Sequence, residues 1–499
     1  MEMGNLENIR QEIVGIDHKF QTPFGEKKII YADWIAGGRL YKPIEDLMTH
    51  HFGPYVANTH SESSFTGATM TQAYHEALNQ IKRHVNASQD DVILATGTGM
   101  TGAISKLQRI LGLRLPEQVI QYCDIPDSLR PVIFITHMEH HSNQTSWIEC
   151  MADVVVIPPD ENLLVDPAKL EDALNEYQDR PVKIGCFTAC SNVTGIRTPY
   201  HQLAGLMHAH GGWCFVDFAA SAPYDEINMH PENPDERLDA IFFSPHKFLG
   251  GPGSAGILIF NKELYHNTIP DQPGGGTVKW TNPWGGRSYF DEIEIREDGG
   301  TPGFLQAIRT ALCIKLKEEL TIEAIHQREE QLLKSTFQRL RKIKGLHILA
   351  DQPVAPEDRL GVVSFYLEGV HYNLVVALLN DHFGIQVRGG CSCAGTYGHL
   401  LLNVSKDVSD AITCKIDQGD LSEKPGWVRL SLHPTMTDEE LNFVLDAIEQ
   451  VASNAPEWSL DYKFDAHRGE FFHKDYPVRS ESFDFDNLLK QATTIHTGN

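Results

Sequence analysis

Seven short runs of β-branched and aromatic residues, separated by helical patterns, constrain the fold of this chain more than any other feature. They are Val92-Ile93-Leu94, Val132-Ile133-Phe134-Ile135, Val154-Val155-Val156-Ile157, Val182-Lys183-Ile184-Gly185-Cys186-Phe187, Cys214-Phe215-Val216, Ala240-Ile241-Phe242-Phe243 and Gly256-Ile257-Leu258-Ile259-Phe260. Near-continuous apolar runs of this length are the pattern of strands buried on both faces. Helical patterns at 70–85, 101–111, 167–178 and 200–210 lie between them. The alternation predicts an α/β fold on a mainly parallel, seven-stranded sheet with helices on both sides.

The chain has 499 residues, enough for two domains. An N-terminal segment, 1–30, precedes a large domain over 31–303. Within that domain, 265–303 is rich in Gly, Pro and Trp and reads as long loops. A long helical pattern over roughly 304–344 leaves it and opens a smaller α/β domain, 304–454, closed by a helix at Asp438–Val451. The tail, 455–499, is polar and aromatic without clear periodicity, and either wraps the surface or is partly disordered.

Composition narrows the partners. Forty-two basic against 67 acidic residues give a net charge of −25, which argues against nucleic acid or an anionic membrane. No apolar run approaches the roughly 20 residues that span a bilayer. The N-terminus, Met1-Glu2-Met3-Gly4-Asn5-Leu6-Glu7, lacks the basic and apolar regions of a signal peptide. Nine cysteines follow no framework spacing, so reduced thiols in a cytoplasmic protein are expected.

Two strand ends carry polar residues. Asp217 closes Trp213-Cys214-Phe215-Val216-Asp217, and Lys247 follows Phe242-Phe243-Ser244-Pro245-His246, just ahead of the glycine-rich stretch 250–256. Ligands of open α/β sheets bind at the C-terminal strand edge. A carboxylate and an amine delivered there suit pyridoxal phosphate: the lysine for the Schiff base, the aspartate to hold the pyridine nitrogen protonated.

Other segments fit the same edge. Ile93 to Ala103 runs from a strand through Thr96-Gly97-Thr98-Gly99-Met100-Thr101-Gly102 into a helix. Amides at such a helix start form an anion cradle, to which Ser244 and His246 can add donors; the segment also reads as a tight strand-to-helix turn. Thr136-His137-Met138-Glu139-His140-His141-Ser142-Asn143 is histidine-rich, but its spacing is not His-Glu-x-x-His and it follows a strand, which argues against a metal. An imidazole stacked on a cofactor ring and shuttling protons fits better, beside the plain reading of surface histidines.

Ser191-Asn192-Val193-Thr194-Gly195 offers an asparagine donor to a ring hydroxyl, or a common turn. Val387-Arg388-Gly389-Gly390-Cys391-Ser392-Cys393-Ala394-Gly395 reads as a loop with two thiols beside an arginine. It can hold a sulfur nucleophile, a redox pair or half of a metal site, though no second Cys or His pair has zinc-ribbon spacing; the plain reading is an inert loop. Arg429, inside the strand Trp427–Leu432, is costly to bury unless paired, by a substrate carboxylate or a structural salt bridge.

Taken together and in order, these segments resemble the class V, fold-type I pyridoxal-phosphate enzymes, in particular the cysteine desulfurases and the desulfurase-like domain of molybdenum cofactor sulfurases. The resemblance runs from Tyr31-Ala32-Asp33 to about residue 452 and includes Asn58-Thr59-His60-Ser61-Glu62-Ser63-Ser64, which looks like the Asn-Pro-His-Ser segment of the sulfurases. It implies that Gly99, Met100 and Thr101 cradle the phosphate with Ser244 and His246. It also implies that His140 stacks on the ring, Asn192 sits near the ring hydroxyl, Asp217 pairs with the pyridine nitrogen and Lys247 carries the cofactor. Gly299-Gly300-Thr301-Pro302 looks like the loop that reaches the neighbouring subunit's phosphate, implying a homodimer. Arg429, with Arg388, takes the substrate carboxylate. Cys393 aligns with the sulfur-accepting cysteine of Arg-x-Gly-x-x-Cys. Where typical desulfurases have glutamine three residues after the aspartate, this chain has Ala220, which with Cys-x-Cys resembles the cofactor sulfurases more.

The function implied is removal of sulfur from L-cysteine through a Cys393 persulfide, giving alanine, with a sulfur-acceptor protein as a further partner. The alternatives are another class V reaction in which Cys393 is dispensable (transamination, β-elimination or epimerisation of a small amino acid) and a non-catalytic scaffold.

Overall fold

The structure, a computed structural model, describes residues 3–59, 62–352, 354–476 and 480–495. All seven expected strands form, as β1 (Asp91–Thr96), β2 (Val132–Thr136), β3 (Asp153–Ile157), β4 (Lys183–Thr188), β5 (Trp213–Asp217), β6 (Ala240–Phe243) and β7 (Gly256–Asn261). They make one sheet in the order β1-β7-β6-β5-β4-β2-β3. Only β7 runs against its neighbours; the pairs from β6 to β3 are parallel.

Alternate side chains of each strand enter two apolar layers, as the two-residue period of a strand requires. Val132 and Phe134 of β2, with Cys214 and Val216 of β5, face one layer. Ile133 and Ile135, with Phe215, face the other. The expectation of burial on both faces fails at β3, where only Ile157 is buried. That strand is the sheet's edge and has a neighbour on one side alone.

The expected helices also form, at Phe65–His84, Gly99–Ile110, Pro167–Glu176 and Tyr200–Ala209. The first starts earlier than its apolar period because Ser64 caps it, accepting from the Gly67 amide at 3.2 Å. The long pattern over 304–344 is two helices, Phe304–Leu320 and Ile322–Leu340. They break at Thr321, which has φ 60° and whose hydroxyl accepts from the Ala324 amide. An unbroken amphipathic period hides such a cap.

Residues 265–303 are not simply loops. They hold a hairpin, Val278–Thr281 with Arg287–Tyr289, and a helix, Ile293–Glu297. Buried charge fastens this segment to the helix Gly99–Ile110. Lys106 donates to Glu297 at 2.9 Å and Arg109 to Asp271 at 2.8 Å. The tail too is ordered in part. The closing helix spans Asp438–Trp458, and a hairpin follows, Tyr462–Asp465 with Glu470–His473. Its Tyr462 hydroxyl donates to Asp381 at 2.8 Å, laying the hairpin on the helix Tyr372–Phe383.

A second sheet is fully antiparallel: β8 (Leu346–Ile348), β9 (Val362–Leu367), β10 (Arg388–Gly390) and β11 (Trp427–Ser431), in the order β8-β9-β11-β10. It has its own apolar core with the helices Ile322–Leu340, Tyr372–Phe383 and Asp438–Trp458. The N-terminal residues Ile30–Tyr31 pair in parallel with Ile385–Gln386, and Asp33 bridges Ser431. Among the described residues, no helix is long and apolar enough to cross a membrane.

Candidate active site

The C-terminal ends of β1, β2, β4, β5 and β6 converge on one cavity of about 190 Å³. From the large sheet it is lined by Met100, Thr101, His140, Asn192, Asp217, Ser244, His246 and Lys247. The smaller sheet and its loop add Arg388, Ser392, Cys393 and Arg429. Of the side chains expected at the site from sequence, Thr301 is the one placed elsewhere.

Asp217 ends β5 at 3 % exposure. Its Oδ1 accepts from the Ala219 amide at 2.8 Å, and no other donor among the described residues reaches it. Burial therefore lifts the carboxyl to about 6, against a smaller opposing pull from Lys247. Lys247 is half-buried at the end of the turn Pro245–Lys247. Desolvation lowers its amine to about 8, aided by Arg429 and Arg388 and opposed by Asp217. A buried carboxylate short of donors, facing an amine that is partly neutral at pH 7, fits a protonated pyridine ring with an aldehyde carbon. Ala220 lines the same cavity and offers no donor.

The helix Gly99–Ile110 opens beside them. Gly99 has φ +62°, and a Cβ there would lie 2.7 Å from His246 Cε1 and 2.8 Å from Ser244 Oγ. Glycine is thus required by backbone and by space. Ser244 Oγ accepts from the Met100 amide at 2.8 Å, and Thr101 Oγ1 lies 2.7 Å from Ser142 Oγ. Hydroxyls, a helix N-terminus and His246 together make a concave anion site, which fits a phosphate.

The three histidines of 137–141 go separate ways. His137 Nε2 lies 3.0 Å from the Leu163 carbonyl. His141 Nε2 accepts from the Gly395 amide at 3.0 Å. His140 caps the helix His141–Ile148, its Nδ1 accepting from the Ser142 amide at 3.1 Å, and faces the cavity. Burial holds its imidazole below the usual range, against an opposing hydrogen bond to Cys393.

Asn192 spends one N–H on the Ser392 carbonyl at 2.7 Å, leaving one donor for a ligand. Its own carbonyl accepts from Arg429 Nη1 at 3.2 Å. Arg429 also pairs with Asp33 at 2.8 Å, so it is a salt-bridged residue and a cavity wall at once. Arg388 stands opposite Arg429 across the β10–β11 ladder.

Cys393 is half-buried with its sulfur against His140. That hydrogen bond, with Arg388 and Arg429 nearby, lowers the thiol from its ordinary value despite partial burial. Arg388 Nη2 is 4.0 Å from the sulfur. Ser392 and Cys393 have φ of 51° and 57°, a left-handed pair without glycine. Two hydrogen bonds from the large sheet hold it: Asn192 to the Ser392 carbonyl, and the His141 amide to the Cys393 carbonyl at 2.7 Å. Cys391 faces a separate, mostly apolar cavity of about 150 Å³ with Trp427 and Ile412.

Thr301 lines a third cavity, of about 420 Å³, with Tyr74, Asp298 and Glu297. Its hydroxyl accepts from Asn58 Nδ2 at 3.3 Å. His60 and Ser61 lie outside the described residues. Sequence reasoning passed over Asp33, Ser142, Ser392 and Glu139. Glu139 sits beneath the site, accepting from Thr136 Oγ1 (2.7 Å), the Thr136 and Thr188 amides (3.1 and 3.0 Å) and Asn143 Nδ2 (2.7 Å). Burial still pushes it up to about 7.

A fold with a mainly parallel seven-stranded sheet, and a lysine and an aspartate meeting at its strand ends, defines an α/β enzyme of the fold-type I class. The class-V aminotransferase model matches residues 30–444, and the chain belongs to that family. It is 29 % identical over 373 residues to a probable cysteine desulfurase of Staphylococcus epidermidis, covering 74 % of this chain and 84 % of the relative. A probable cysteine desulfurase of Halalkalibacterium halodurans is 28 % identical over 371 residues, covering 73 % and 84 %. Among solved structures, the apo cysteine desulfurase of Thermococcus onnurineus superposes with a TM-score of 0.69 at 24 % identity, covering 90 % of this chain and 98 % of that one. A cysteine desulfurase of Escherichia coli gives 0.67 at 19 %, covering 90 % and 99 %. These two likenesses establish the fold.

Proposed function

We propose that the protein is a pyridoxal-phosphate-dependent cysteine desulfurase that takes sulfur from L-cysteine and leaves alanine. The observation that carries this reading is the Cys393 thiol, lowered by His140 and the arginines, in the same cavity as Lys247 and Asp217. The desulfurase names of the relatives support it.

Gly99, Met100, Thr101, Ser244 and His246 would hold the cofactor's phosphate, Asp217 its ring nitrogen, His140 one ring face, and Lys247 its aldehyde carbon. When bound, the cofactor supplies an electron sink for charge developing at the substrate α-carbon. Lys247, neutral in a useful fraction near pH 7, takes the α-proton. Arg429 and Arg388 hold the substrate carboxylate. The hydrogen bond from His140 favours the thiolate of Cys393. Cys393 attacks the substrate sulfur; the carbon–sulfur bond breaks with its electron pair left on carbon. Cys393 ends as a persulfide, and reprotonation of the carbon gives alanine. An acceptor thiol then takes the outer sulfur.

The protein acts as a homodimer in the cytoplasm, with the Gly299–Pro302 loop completing the partner's phosphate site. The position of Thr301 away from its own chain's Lys247 supports this. Incubation with a panel of amino acids tests the reading. Equal alanine and sulfide from L-cysteine with excess dithiothreitol present to reduce the persulfide, and a borohydride-trapped adduct on Lys247, is the expected result. Pyruvate plus sulfide, or a keto acid alone, overturns it in favour of β-elimination or transamination.

A further inference from the structure

Glu139 has no part in the roles assigned above, yet it is 1 % exposed and accepts four hydrogen bonds. Two of them come from the last residues of neighbouring strands. The β2–β4 pairing ends at Phe134 and Gly185, although β2 stays paired with β3 to Thr136, and β4 with β5 to Thr188. The two strands thus part over their final residues, beside the cavity that Thr188 lines. Glu139 Oε1 fills the gap, accepting from the Thr136 amide at 3.1 Å and the Thr188 amide at 3.0 Å. Asn143 completes the wedge: its Nδ2 donates to Glu139 Oε2 at 2.7 Å and to the Cys186 carbonyl of β4 at 3.2 Å. A carboxylate and an amide replace the ladder bonds that the parted strands lack, as buried backbone groups require.

All four partners of Glu139 are donors. The Thr136 hydroxyl accepts from the Met138 amide, which leaves its own proton for Glu139. The ionised carboxylate satisfies this set, against the burial that raises its value. A glutamine in its place cannot, because its own amide N–H would face another donor.

The segment that Glu139 roots in the sheet is the one that grips the Cys393 loop. His140 hydrogen-bonds the Cys393 sulfur. Its Nδ1 accepts from the Ser142 amide, so Nε2 carries the ring proton toward that sulfur. The His141 amide donates to the Cys393 carbonyl at 2.7 Å, and His141 Nε2 accepts from the Gly395 amide at 3.0 Å. Gln144 Nε2 donates to Thr396 Oγ1 at 2.8 Å. The loop is therefore held from residues 140, 141 and 144, while Glu139 and Asn143 tie those residues to the strand ends. We propose that Glu139 is a positioning residue: by wedging the parted ends of β2 and β4, it sets where His140 meets the Cys393 sulfur. This rests on the reading of Cys393 as the nucleophile.

The test needs no turnover. Cofactor-loaded protein in a Cys391→Ala background is alkylated with iodoacetamide over pH 5 to 10, and modification of Cys393 is followed by mass spectrometry. Glu139→Gln should move the midpoint of the rate up toward the ordinary thiol value. Alkylation at pH 7 should slow by roughly threefold or more, with the high-pH rate within about twofold of the parent. An equal high-pH rate means an equally accessible sulfur, which a merely loosened loop would not give. Asn143→Ser cuts the same wedge from the helix side and should act in the same direction; it decides the matter if Glu139→Gln does not fold. Leu332→Ala, in the core of the smaller sheet, destabilises the protein without touching the wedge and should leave the midpoint in place. An unchanged midpoint in either folded wedge variant overturns the proposal, as does an equal shift in Leu332→Ala or an ordinary thiol midpoint for Cys393 in the parent. Pyruvate plus sulfide from L-cysteine would sink the desulfurase reading and leave the alkylation result standing.

Discussion

Arg388 and Arg429 sit directly opposite each other across the antiparallel β10–β11 ladder, and both line the cavity that holds Lys247. Like charges facing across a ladder destabilise the pair. Asp33 neutralises Arg429, whereas Arg388 has no carboxylate partner among the described residues. The arrangement is strained toward binding an anion.

Arg388→Gln should therefore leave folding stability unchanged or raise it by about 0.5–1 kcal/mol. The same change should raise KM for L-cysteine roughly tenfold or more, because a charged hydrogen bond to the carboxylate is lost. Denaturant melts and steady-state kinetics of one preparation check both. A large loss of stability would show Arg388 to be a structural residue.

Asp217→Asn should stabilise the cofactor-free protein while it disables the loaded one. The carboxyl's folded value, about 6, lies above its ordinary 3.8. The folded state thus binds this proton more tightly, and stability from this group falls as pH rises from about 4 to 6 and stays low above. A neutral amide removes that cost, on the order of 1–3 kcal/mol at pH 7.5. Activity should drop by roughly a hundredfold or more, for loss of the charge facing the ring. Thermal melts without cofactor, paired with turnover, report the two effects separately.

The rate at which apo protein captures pyridoxal phosphate should rise with pH and level off above about 8, where the Lys247 amine is mostly neutral. An ordinary lysine at 10.5 would keep rising through pH 10. Because Asp217 props up this amine, Asp217→Asn should move the profile to lower pH. Stopped-flow absorbance over pH 6 to 10 resolves the two curves.

Gly99→Ala should cost cofactor affinity at least tenfold, roughly 1.4 kcal/mol. The new methyl would meet His246 and Ser244 at under 3 Å, in a backbone that disfavours alanine. Equilibrium dialysis against pyridoxal phosphate measures it. Unchanged affinity would show that the phosphate sits elsewhere.

The large sheet was legible because β2, β4, β5, β6 and β7 are buried on both faces and so are written as apolar runs. Strand-end positions of Asp217 and Lys247 followed from the same runs. What escaped depends on contacts between distant segments. Asp33 meets Arg429 across 396 residues, and Asn192 meets Ser392 across 200. No local pattern encodes either. The Thr321 break and the 278–289 hairpin were missed for a different reason: a single left-handed residue and a short cross-strand pairing leave the hydrophobic period intact. That Cys391 and Cys393 line different cavities is set by the two left-handed residues between the strand and the helix Gly395–Leu401.

The central claim is that Cys393 takes sulfur from the substrate. The most direct measurement is mass spectrometry of the peptide carrying Cys391 and Cys393 after one turnover with L-cysteine and no acceptor. The account predicts one added sulfur atom, localised to Cys393, present in Cys391→Ala and absent from Cys393→Ala, which also makes no alanine. An unmodified Cys393 alongside normal alanine formation, or undiminished alanine from Cys393→Ala, would contradict it.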